Sequence, residues 1–119
     1  MPSYPERIHH HAIDPTHVGT VEDATHTVSM SNPACGDELV WTASVRDGRV
    51  ERILFRARSC SAVLATASLA AEAVEGRSLE DARALDVAAL MDEAGGLPPG
   101  KRHAVQLVSR SLAGLLRRD

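Results

Sequence analysis

From residue 38 onward the apolar positions follow two rhythms in turn. Over residues 38–45 the apolar side chains Leu39, Trp41, Ala43 and Val45 alternate with polar ones, the period of a half-buried strand. Asp47-Gly48 follows, a pair whose tolerance of positive φ suits a tight reversal. Residues 50–57 return as a second strand with Ile53 and Phe55 on one face, and residues 25–31 carry a weaker signal for a third. Past Cys60 the period lengthens: Cys60, Val63, Leu64, Ala67, Ala71 and Val74 recur at helical spacing in an alanine-rich segment. Gly76 stands where a helix-ending residue of positive φ is expected.

Ser78 reads as the cap of a short helix and Asp86 as the start of another. The Gly- and Pro-rich residues 95–100 interrupt regular structure. A last helix is predicted over about residues 101–117, with Ala104, Leu107, Val108, Ser111, Leu112 and Leu115 on its buried stripe. Strands followed by helices predict an α+β domain: a small antiparallel three-stranded sheet with helices packed on one face. Residues 1–34 hold His9, His10, His11, His17 and His26, five of the six histidines. Because three consecutive histidines do not share one helix face, the run His9 to His11 reads as a solvated N-terminal turn.

Composition narrows the function classes. At 119 residues the chain is expected to be one domain over 1–119, able to bury a core without disulfides. Thirteen basic against sixteen acidic side chains leave a net charge of −3, which offers no electrostatic footprint for nucleic acid. Tyr4, Trp41 and Phe55 are the only aromatic side chains of those three types, too few for a base-stacking surface. No apolar stretch reaches the length of a membrane span, and the N-terminal residues lack the apolar middle of a signal peptide. A cytoplasmic protein without membrane or nucleic-acid partners is therefore expected. In a reducing compartment the two thiols, Cys35 and Cys60, point to metal binding or chemistry rather than a structural bridge.

Candidate ligands gather where turns meet regular elements. Cys35-Gly36-Asp37 precedes the first hairpin strand, Cys60 sits at a strand–helix junction, and His103 opens the last helix. Each has an ordinary explanation: a small core residue for Cys60, a turn carboxylate for Asp37, an exposed helix start for His103. Together, two sulfurs, one carboxylate and one imidazole make a complete donor set for a tetrahedral zinc ion. Spacing alone does not show that they converge.

The order of these motifs resembles the IscU/NifU-type iron–sulfur cluster scaffolds. The likeness rests on residues 32–37, on Phe55 to Cys60 with Ala67, Ser68 and Leu69, on Leu97-Pro98-Pro99-Gly100-Lys101 before His103, and on an N-terminal segment from His11 to Gly19. It spans nearly the whole chain, and the lack of room for the insertion of the SufU branch places it nearer the IscU-like one. It implies an IscU/SufU-like fold, no enzymatic turnover, and Cys35, Asp37, Cys60 and His103 as the metal and cluster ligands. Implied partners are a cysteine desulfurase, apo iron–sulfur acceptor proteins, and an Hsp70-type chaperone docking at residues 97–101, where Gly100 replaces the usual valine.

Two departures matter. Ala104 stands where the family has a third cysteine, and a methyl group offers neither a nucleophilic sulfur nor a lone pair for iron. Ser59 stands where a glycine usually precedes the second cysteine. Thiolates hold cluster iron best, so two sulfurs with one oxygen and one nitrogen predict a labile [2Fe–2S] cluster. Zinc accepts such a mixed set more readily. The leading expectation is a scaffold or carrier that passes a metal ion or cluster to acceptors, with Cys35 receiving sulfur ahead of Cys60. The alternative is a divergent, non-assembling paralogue whose structural zinc stabilises a desulfurase-binding protein. A small zinc hydrolase is a remote third, since no positioned general base stands out.

Overall fold

The computed structural model describes residues 4–32 and 36–117. Its elements follow the order α1 (Glu6–Ile13), β1 (His26–Asn32), β2 (Asp37–Arg46), β3 (Arg49–Arg58), α2 (Ser61–Val74), α3 (Leu79–Arg83), α4 (Val87–Glu93), a 3₁₀ turn (Pro99–Lys101) and α5 (His103–Leu115). The strands form one antiparallel sheet in the order β1-β2-β3. Trp41 pairs with Phe55 and Ala43 with Ile53, so the inward residues of the hairpin face the same side. Asp47 at φ 52° and Gly48 at φ 72° reverse the chain, the two consecutive positive angles that let a two-residue loop follow the twist of its strands.

The inward face of the sheet carries Leu39, Trp41, Ala43, Ile53 and Phe55, all fully buried. Helices α2 and α5 cover it. Alanine at positions 65, 67, 70 and 71 lets α2 lie close to its neighbours. Trp41 is tied to α5 by its indole N–H, which donates to Ser111 Oγ at 2.8 Å, and its ring packs 5.5 Å from that of Phe55. On the opposite face an extended strap crosses the sheet. Val21 N–H donates to Thr42 Oγ1 at 2.9 Å, and the Arg56 guanidinium donates to Thr20 Oγ1 at 3.0 Å. The expected arrangement of an α+β sheet with helices packed against it is thus present.

Two elements differ from expectation. Residues 6–13 form a helix instead of a solvated turn. His9 and His10 are exposed, but His11 is buried, with Nδ1 2.6 Å from Ser68 Oγ on α2. Ser68 Oγ also accepts the Thr16 N–H at 2.8 Å, and Thr16 Oγ1 donates to Glu72 at 3.0 Å. Ile8 and His11, three apart, therefore form the inward face of α1. The last helix begins at His103, because Pro99 opens a 3₁₀ turn within the stretch expected to be irregular. Its Leu107 is only half-buried, unlike Ala104, Val108, Ser111, Leu112 and Leu115. The caps hold as expected: Ser78 accepts from Asp81 N–H and Asp86 from Ala89 N–H, each at 3.1 Å, and Gly76 has φ 87°. Among the described residues no helix is long and apolar enough to cross a membrane.

Candidate metal centre

Cys60 occupies the N-cap position of α2, immediately after β3. Its carbonyl accepts the Val63 and Leu64 N–H groups, which fixes the thiol at the helix entrance. The 3₁₀ turn delivers the other side of the site, since it ends at Lys101 and places His103 on the first turn of α5. Packing of α2 against α5 brings these two ends together. Cys60 Sγ and His103 Nε2 stand 3.6 Å apart although the residues are 43 positions apart in sequence. That separation is the reach of a thiol–imidazole hydrogen bond. It is also about 3.6 Å, the edge of a tetrahedron built from Zn–S and Zn–N bonds of about 2.3 and 2.05 Å.

Asp37 opens β2 and is 9% exposed. Its Oδ1 accepts the Ser59 hydroxyl at 2.5 Å, within the range of charge-assisted O–H···O⁻ bonds. Asp37 and His103 line a common cavity of about 230 Å³ with Met30, Ser31, Gln106, Leu107 and Arg110. Of the expected donors, then, Cys60 and His103 meet and Asp37 borders the same space. Cys35 lies outside the described residues. Among the described residues no three histidine, cysteine, aspartate or glutamate side chains gather closely enough to surround one ion.

Ala104 follows His103 in sequence. It is fully buried and packs with Ala62 and Val63, flanked by Cys60, Tyr4, Leu97 and Leu107. Apolar packing around Ala104 thus borders Cys60, while His103 borders the cavity. Sequence reasoning noted Ser59 only as a departure from glycine. Its hydroxyl bond to Asp37 joins residues 22 apart, and only the strand pairing that seats Glu38 opposite Arg58 makes them neighbours. Arg110 was missed altogether, because an exposed arginine on a helix carries no signal of its own.

The chain and its fold have known counterparts. The NifU-like N-terminal domain family matches residues 3–115. An iron–sulfur cluster assembly scaffold protein IscU of Archaeoglobus fulgidus is 35% identical over 109 residues, covering 92% of this chain and 71% of that protein. The IscU scaffold of Aquifex aeolicus is 34% identical over 106 residues, covering 87% of this chain and 68% of its own. In three dimensions the crystal structure of a NifU-like N-terminal protein from Brucella abortus superposes with a TM-score of 0.73 at 22% identity, over 94% of this chain and 90% of that one, a likeness of fold. With most of its length matched by family model and relatives alike, the chain belongs to the NifU-like N-terminal domain family.

Proposed function

We propose that this protein is a scaffold or carrier in iron–sulfur cluster assembly. In this reading it binds a metal ion or a [2Fe–2S] cluster as cargo through Cys35, Asp37, Cys60 and His103, and releases it to apo acceptor proteins. The observation that carries the reading is the 3.6 Å approach of Cys60 Sγ to His103 Nε2, which supplies one edge of a tetrahedral donor set. Asp37 lines a cavity together with His103, and the relatives named as assembly scaffolds point to the same cargo. A cysteine desulfurase would provide sulfur to Cys35, and residues 97–101 would serve an Hsp70-type chaperone.

One observation favours a second reading, a non-assembling paralogue that keeps a structural zinc and binds the desulfurase. The buried Ala104 brings no donor to the site and lies in a wall without room for solvent. Anaerobic reconstitution with ferrous iron and sulfide separates the two. Visible charge-transfer absorption that moves to an apo acceptor supports the carrier. A colourless protein holding about one zinc per chain, with desulfurase binding intact, supports the paralogue.

A further inference from the structure

The outward face of β3 carries a stripe of arginines that the donor pair does not use. Ile53 and Phe55 are buried against the helices, so positions 52, 56 and 58 turn to the other face of the sheet. Arg52, Arg56 and Arg58 are all exposed there. At about 3.3 Å per residue the stripe is about 20 Å long. At the hairpin end Arg46 and Arg49, also exposed, stand directly opposite each other. Residues 46–58 hold five of the thirteen basic side chains against two acidic ones, a net +3 that leaves −6 for the rest of the chain.

Local stability does not account for these charges. Like charges directly opposite across a ladder are destabilising, and Arg46 and Arg49 are such a pair, eased by Glu51 at 3.9 Å from Arg46. Among the described residues no carboxylate forms an ion pair with Arg49, Arg52, Arg56 or Arg58. That includes Glu38, although it sits opposite Arg58. Arg56 donates to the neutral Thr20 Oγ1 and Arg49 to the Gly76 carbonyl, so neither charge is balanced. A row of unbalanced guanidinium groups attracts carboxylates, which it can bind through two N–H groups at once.

We propose that the stripe of Arg52, Arg56 and Arg58 docks the carboxylate-rich surface of a partner protein. Two observations favour a protein over a nucleic acid. The stripe is short and belongs to a chain that is otherwise negative, so it matches a compact acidic patch, whereas a long polyanion would run on over the negative remainder. Trp41 and Phe55 are fully buried, so the sheet offers neither ring to a base. The stripe ends at Arg58, two residues before Cys60, which seats the partner beside the strand end that leads into that thiol. The docking surface stands whatever the Cys60–His103 pair binds.

The test is a titration of the whole protein, without metal, against a fluorescently labelled octaglutamate peptide, whose extended length just exceeds the stripe. Anisotropy reads the binding at low salt, where exposed charges are least screened. The triple change Arg52→Ser, Arg56→Ser and Arg58→Ser is expected to weaken binding about tenfold, because each exposed charge pair adds a factor of a few. A control triple, Arg7→Ser, Arg77→Ser and Arg117→Ser, removes the same net charge from exposed positions elsewhere and is expected to cost less than about twofold. Lysine at the three stripe positions keeps the charge and the fold and should retain part of the affinity. Equal losses in the two serine triples assign the binding to net charge and overturn the proposal. So does a lack of binding by the unaltered protein. An oligonucleotide of eight phosphates bound as tightly as the peptide, with the same dependence on the stripe, overturns the choice of a protein partner. Self-association of the unaltered protein that the stripe triple abolishes gives the surface to a second copy of the chain and overturns it too.

Discussion

Ser59 Oγ donates to Asp37 Oδ1 at 2.5 Å, so the residue just before the thiol of Cys60 holds the carboxylate that borders the same site. A carboxylate held through one oxygen keeps the other for a cation, the role that outer partners play around metal ligands. Ser59→Ala is expected to weaken zinc binding about tenfold, as loss of such partners commonly does. Competition against a chromophoric chelator measures this. Because Asp37 is buried, the same change should cost about 1–3 kcal/mol of stability, read from urea unfolding.

Trp41 and Ser111 join sheet and α5 through a single buried hydrogen bond. Trp41→Phe removes the donor and part of the ring volume. The Ser111 hydroxyl keeps its bond to the Val108 carbonyl at 3.1 Å, which limits the damage to an unfilled space and one lost bond. A loss of about 2–4 kcal/mol is expected in chemical denaturation.

At the hairpin tip Gly48 has φ 72°, and a Cβ there would meet nothing within 4 Å. Gly48→Ala therefore isolates backbone strain from packing. It should destabilise the fold by about 1–2 kcal/mol, the cost of a left-handed residue with a side chain, while metal affinity stays unchanged. A loss well beyond that range in thermal unfolding would indicate a wider rearrangement of β2 and β3.

His11 gives the protein a pH dependence of definite sign. Burial, reinforced by the nearby charges of His10, Arg7 and His17, lowers its pKa below the ordinary value of 6.5, against an opposing pull from Glu72. The unfolded chain therefore binds the proton more readily than the folded one. The resulting stability is full above pH 6.5 and is lost as pH falls through the depressed folded value. His11→Asn, which keeps a polar atom near the Nδ1 position facing Ser68, should flatten that slope in unfolding curves taken between pH 7.5 and 5.

The hairpin and the caps were legible because their signals are local: alternation, an Asp-Gly pair, a Ser or Asp before an apolar run. Helix α1 was hidden because its inward face consists of Ile8 and a histidine. What buries that histidine is Ser68, 57 residues away, which no window along the chain reveals. The site shows the same division. Cys60 and His103 were nameable from motif order, yet their meeting depends on α2 lying against α5, a tertiary fact. The sequence marked Ser59 as unusual but gave no hint of its partner, since strand register decides which residue faces it. Arg110 shares its cavity with Asp37 and His103 only through the path of β1 beside α5.

The N-terminal arm is fastened at two points. The Tyr4 hydroxyl lies 2.9 Å from Ser61 Oγ, next to Cys60, and a side chain at Gly95, which has φ +113°, would come within 2.5 Å of Pro5. These anchors sit on separate pieces: the entrance of α2 and the loop that leads to Leu97 and His103. Tyr4 and Pro5 thus touch both pieces that carry the donor pair. A bulkier residue at position 95 would push Pro5 aside and strain this bridge, while the packing of α2 against α5 still holds thiol and imidazole together.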